Sequence, residues 1–132
     1  MEFTEAELTV ALTAAAKTAL TAESRDIRKG RVDVEDAWRE LGGYGRYLML
    51  DSLSGQLLPV LASLPDVPRV HGVRPAYSAA QVRAAVAEHL DEPGGRLRRQ
   101  AVVLARTALV QTALAAVPPW YDPDADPEPD SA

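Results

Sequence analysis

The chain has 132 residues, 47% of them hydrophobic and 25% charged, with a mass of 14.2 kDa and a mean hydropathy of −0.13: the balance of one domain that can hide roughly two-thirds of its unfolded surface. The absence of cysteine excludes disulfides, thiolate metal sites and a cysteine nucleophile, and no uninterrupted apolar run reaches the length of a membrane span. The formal net charge of −5 is concentrated at one end, because Asp122, Asp124, Asp126, Glu128 and Asp130 leave fourteen charges of each sign in residues 1–121, and a neutral body lacks the global basic field of a non-specific nucleic-acid binder.

Twelve of the fourteen cations are Arg and Asn is absent, a bias that GC-rich codons produce and that points to a bacterial source. Glu2, Glu5 and Glu7 stand where a secretory leader would carry basic residues, so a cytoplasmic location is expected.

Thr4 and Glu7 have the spacing of a capping box, with Phe3 and Leu8 as its hydrophobic staple. Leu8, Leu12, Ala15, Ala16, Ala19 and Leu20 recur at helical spacing, and Ile27 extends the stripe, so a single first helix is predicted from Thr4 to Lys29 with Gly30 as its left-handed stop. Asp33 caps a short second helix through Leu41, anchored by Trp38 and ended by Gly42-Gly43. From Tyr44, the series Tyr47, Leu50, Leu53, Leu57, Leu61 and Leu64 predicts a third helix, kinked near 55–59 by Pro59.

Pro65, Pro68 and Pro75 mark a connector of about thirteen residues, a length that predicts a packed or functional segment. Ser78 and Gln81 then form a second capping box, with Tyr77 and Val82 as staple, and open a fourth helix that stops before Pro93-Gly94-Gly95. The fifth helix runs from Arg96 to Val117, where Pro118-Pro119 end it. No segment alternates as a strand does. The expected fold is all-α, a bundle of four main helices plus one short helix over residues 1–117, followed by an irregular acidic tail over 118–132.

The fifth helix is apolar around most of its circumference. Leu97, Ala101, Leu104, Ala105 and Ala108 make one face, and Val103, Val110, Leu114 and Val117 make another. Such a helix needs cover on several sides. Either the helix sits at the centre of its own bundle, or the second face is an interface with a protein partner or a second copy; the leading functional expectation is a self-associating helical interaction protein, a homodimer without catalysis of its own.

Two alternatives rest on cations. Arg96, Arg98, Arg99 and Arg106 crowd the start of the fifth helix and would suit phosphate contacts on nucleic acid. Arg69, His71, Arg74 and Tyr77 precede a helix N-terminus and make a candidate anion or small-ligand site. Glu88, His89, Asp91 and Glu92 supply ligand types but lack the spacing that puts two imidazoles on one helix face, so no metal and no cofactor are expected. No nucleophile elbow, S-x-x-K pair or P-loop occurs. In the tail, Pro118–Tyr121 reads PPxY and Asp122, Asp124 and Asp126 alternate without the rest of an EF-hand loop, so Trp120 and Tyr121 are expected to anchor the end of the fifth helix.

Overall fold

A computed structural model describes residues 1–90 and 94–124. Its six helices are α1 (Glu5–Glu23), α2 (Arg25–Arg28), α3 (Val34–Glu40), α4 (Gly42–Ser63), α5 (Ala79–Glu88) and α6 (Arg96–Ala116). The fold is all-α. Among the described residues the one β-type pairing is an isolated antiparallel bridge between Val73 and Trp120. Asp91, Glu92 and the tail beyond Asp124 lie outside the described residues.

Both capping boxes form. The Thr4 amide donates to the Glu7 carboxylate at 2.9 Å and the Glu7 amide to Thr4 Oγ1 at 3.1 Å. The Ser78 amide donates to Gln81 Oε1 at 2.8 Å, and the Gln81 amide to Ser78 Oγ at 3.1 Å. Each box satisfies N–H groups that the first turn leaves without an intrahelical acceptor.

The long first helix predicted from Thr4 to Lys29 is divided at Ser24. That residue is extended, with φ −114° and ψ 113°, and its hydroxyl accepts from the Ile27 amide at 3.4 Å to begin α2. Serine competes for backbone partners in this way, so a continuous apolar stripe does not guarantee a continuous helix. Arg28 then turns back and donates to the carbonyls of Thr21 and Ala22 at the end of α1, where a cation is favoured by the dipole. Gly30 takes the left-handed conformation expected of it, with φ +74°.

Asp33 caps α3, its Oδ1 accepting from the Glu35 amide at 2.8 Å. Trp38 is only half-buried and no α3 residue is fully buried, so the anchor expected there is partial. Gly42 does not separate two helices by a loop; at φ +71° it turns the chain directly into α4, which starts two residues before the predicted Tyr44. Pro59 sits inside α4 without splitting it. Gly55 and Pro59 both face solvent, where the Gly55 carbonyl deprived of its helical donor can be hydrated.

α6 packs on α1 and α5, and α1 also packs on α4. The core joins Ala11, Leu12 and Ala15 of α1 with Leu57, Val60 and Leu61 of α4, Val82 and Val86 of α5, and Val110, Ala113 and Leu114 of α6. Alanines at the α1–α6 contact let the two backbones approach closely, while the α4 leucines supply the volume that fills the centre. Full burial of a leucine such as Leu57 contributes about 2 kcal/mol.

Candidate functional site

The two apolar faces of α6 lie on opposite sides of the helix, and the core takes the one expected to meet a partner. Val110 and Val117 are 0% and 1% exposed, Leu114 is buried with them, and Val103 is half-buried against the same cluster. The predicted interface through Val103, Val110, Leu114 and Val117 is therefore corrected: Val110, Leu114 and Val117 belong to the core of the same chain, and Val103 packs partly against it. Water instead meets Leu97, 82% exposed, and Leu104, 63% exposed, in a stripe continued by the exposed Ala101, Ala105, Ala108 and Ala115. Periodicity identified both stripes but carried no sign of which one the other helices would cover.

A second exposed apolar cluster opens α4, where Leu41, Tyr44, Tyr47 and Leu48 are exposed. Leu41 and Leu48 border an open groove of about 510 Å³ that runs past Ala19 and Leu20 of α1 to Leu109 of α6.

In the connector, each member of the candidate anion site is committed to the chain's own structure. Arg69 donates from Nη1 to Glu7 Oε2 at 2.6 Å and from Nη2 to Glu7 Oε1 at 3.0 Å, and also reaches the Glu2 carbonyl at 2.9 Å. The guanidinium lies 5.9 Å from the centroid of the Phe3 ring. Its hydrogen bond holds the Glu7 carboxyl below the ordinary glutamate value; burial opposes that shift, and the Thr4 amide adds to it. Glu7 in turn raises Arg69 further.

His71 Nδ1 accepts from the Asp122 amide at 3.0 Å, and the imidazole meets the Tyr121 ring edge-on at 5.3 Å. Arg74 Nε donates to the Val117 carbonyl at 2.8 Å, capping the end of α6. Tyr77 donates to the Pro65 carbonyl at 2.8 Å, and burial pushes its phenol up. The connector is thus pinned at four points to α1, to itself and to the segment after α6. Trp120 does help to anchor the end of α6: its carbonyl accepts from Gly72 at 2.6 Å and its amide donates to Val73 at 3.3 Å.

Of the four arginines proposed for nucleic acid, Arg96 and Arg99 line one cleft and Arg98 and Arg106 do not line it among the described residues. Arg99 reaches across to α5, donating to the carbonyls of Ala87 at 3.1 Å and Leu90 at 3.5 Å. Arg98 folds back beside Gly94, and Arg106 is half-buried further along α6. The cleft, of about 560 Å³ between α5 and α6, is lined by Arg83, Arg96, Arg99, Gln100, Val103 and Leu104. Arg83 was invisible to spacing because it stands thirteen residues before Arg96 on another helix.

Among the described residues, no group of three or more His, Asp or Glu side chains is placed to hold a metal ion. Among them, too, no helix is long and apolar enough to cross a membrane. No family model, no curated protein and no solved structure matches this chain.

Proposed function

We propose that the protein is a small helical interaction module that pairs with a second copy of itself through the outward face of α6 and performs no catalysis of its own. The observation that carries this reading is the exposure of Leu97 and Leu104 on a helix whose opposite flank already fills the core. Leu97, Ala101, Leu104 and Ala108 follow one another at steps of four, three and four, the repeat of a seam between two helices.

Size and charge favour an antiparallel pair. Aligned that way about the middle of α6, Leu97 meets the partner's Ala115 and Leu104 meets the partner's Ala108, so each large side chain faces a small one. A parallel pair in register stacks leucine on leucine, leaves gaps between alanines and crowds two sets of Arg96, Arg98 and Arg99 together. The antiparallel pair sets those arginines beside the negative end of the partner's helix, where a cation is favoured.

One helix pair makes a small interface, below about 1,200 Å², and such interfaces belong to weak complexes. The dissociation constant is accordingly expected on the order of micromolar. Light scattering or sedimentation across roughly 1–200 µM, a range spanning that affinity, should show a mass rising from 14.2 kDa towards twice that value. Leu104→Glu should hold it at one chain, since the position is exposed and the fold does not need it. A single-chain mass throughout that range, or an undiminished dimer in the variant, sinks the reading.

A further inference from the structure

We propose that the cleft between α5 and α6 binds a small phosphate monoester that carries an apolar group. Its volume of about 560 Å³ falls within the range of small-molecule sites. Among the described residues, three of the six lining side chains are guanidinium-bearing, from two helices, and none is a carboxylate.

These arginines are not equivalent. Arg99 is held by the carbonyls of Ala87 and Leu90, which fixes its charge in the wall. Arg83 and Arg96, like Arg25, Lys29 and Arg106, show no side-chain ion pair or hydrogen bond among the described residues, but only these two of the five line the cleft.

The start of α6 adds to the same field. Gly95 provides no capping side chain, so among the described residues the first N–H groups of the helix, with their partial positive charge, have no side-chain acceptor. Crowding cations at the positive end of a helix is unfavourable for the chain alone, and a bound dianion reverses the sign of that interaction. A phosphate monoester offers three terminal oxygens, which suit converging guanidinium forks better than a single carboxylate does.

The apolar part of the ligand is read from Val103 and Leu104. They give the cleft an aliphatic wall beside its cations; Leu104 is shared with the α6 seam, so Val103 is the part of that wall that a second copy does not cover. An inorganic ion would leave that wall wet, whereas a small hydrocarbon or aromatic substituent would cover it. Nucleic acid is the less suitable occupant, because among the described residues Arg98 and Arg106 do not line the cleft.

The test is titration of the full chain with phenyl phosphate, inorganic phosphate and benzyl alcohol, followed by calorimetry and by amide chemical shifts. Phenyl phosphate should bind saturably, with shifts at Arg96–Leu104 and around Arg83, and inorganic phosphate should bind at least about tenfold more weakly for want of the apolar contact. Arg83→Gln and Arg96→Gln are exposed positions and should each weaken phenyl phosphate by about tenfold or more, as expected for lost charged hydrogen bonds. Arg39→Gln on α3 should change nothing.

Arg83 stands on α5, off the Leu97–Ala115 seam, so Arg83→Gln can abolish ligand binding while leaving self-association intact. The two readings therefore fail separately. No saturable response to phenyl phosphate overturns the site, as does an unchanged affinity in both glutamine variants. Binding of a single-stranded oligonucleotide that phenyl phosphate cannot displace, with a steep salt dependence, would overturn it in favour of a nucleic-acid contact.

Discussion

Arg69 grips Glu7 with both prongs of its guanidinium, at 2.6 Å and 3.0 Å, and joins residues 62 positions apart. The same Glu7 carboxylate accepts from the Thr4 amide, so one side chain both caps α1 and fastens the connector over it. With Glu7 buried and Arg69 mostly so, removing either partner strands a charge. Arg69→Met is expected to destabilise the fold by about 3 kcal/mol, the lower end for a broken buried pair, as read by urea unfolding.

The same pair sets an acid limit. Glu7 holds its proton less tightly when folded than when unfolded, so the native state binds fewer protons. Its contribution is complete above the ordinary glutamate value of 4.5 and is lost as pH falls through the lower folded value. The stability gap between the wild type and Glu7→Gln should therefore be wide at pH 7 and should narrow progressively as the solution is acidified below about 4.5. A gap that stayed constant on acidification would contradict this assignment.

Thr107 points the opposite way. It is buried in α6, and its Oγ1 is the one buried side-chain polar atom among the described residues without a hydrogen-bond partner. Thr107→Val keeps the shape and removes the stranded hydroxyl, so a gain of about 1 kcal/mol is expected in thermal or chemical unfolding. A loss would mean that the hydroxyl is satisfied in solution.

Ser24 is the residue that divides α1 from α2. Ser24→Ala removes the acceptor for the Ile27 amide and should cost about 1 kcal/mol, the typical value of an N-cap. Amide exchange at Ile27 should quicken, with little change in the middle of α1.

Tyr77 is half-buried, and its hydroxyl donates to the Pro65 carbonyl at 2.8 Å. Because burial raises the folded phenol, the folded state keeps this proton longer than the unfolded chain does. The stabilisation is fully present below the ordinary value of 10.0 and is lost as pH rises through the folded one. Tyr77→Phe should cost about 1 kcal/mol at neutral pH and should remove a tyrosinate absorbance component that develops above pH 10 in the wild type.

The helices were legible because their signals are local. Thr4 with Glu7, Ser78 with Gln81, and Asp33 state their own starts within three residues, and the leucine series of α4 states its period. The break at Ser24 was obscured because the apolar stripe runs through it to Ile27, and a stripe reports burial without reporting helical continuity.

The candidate sites were harder for a different reason. Whether a cation is free depends on partners far along the chain: Arg69 is claimed by Glu7, Arg74 by Val117 and Arg99 by Ala87, and none of these pairs is visible to spacing. Arg83 and Arg96 stand out because two different helices bring them to one cleft. The two oily stripes of α6 were both readable, but their assignment to inside and outside was not, because it is decided by where α1 and α5 land.

The packing of α6 on α1 also dictates the order in which the molecule can be assembled. These two neighbours are separated by more than seventy residues of intervening chain, so the centre stays open until α6 itself has left the ribosome. The intervening helices can coil up early from their own turns, yet their leucines must wait for a rod made late. Closure over so long a loop slows the final step relative to a bundle of successive hairpins, and it makes the emerging chain dependent on whatever shields those leucines in the meantime.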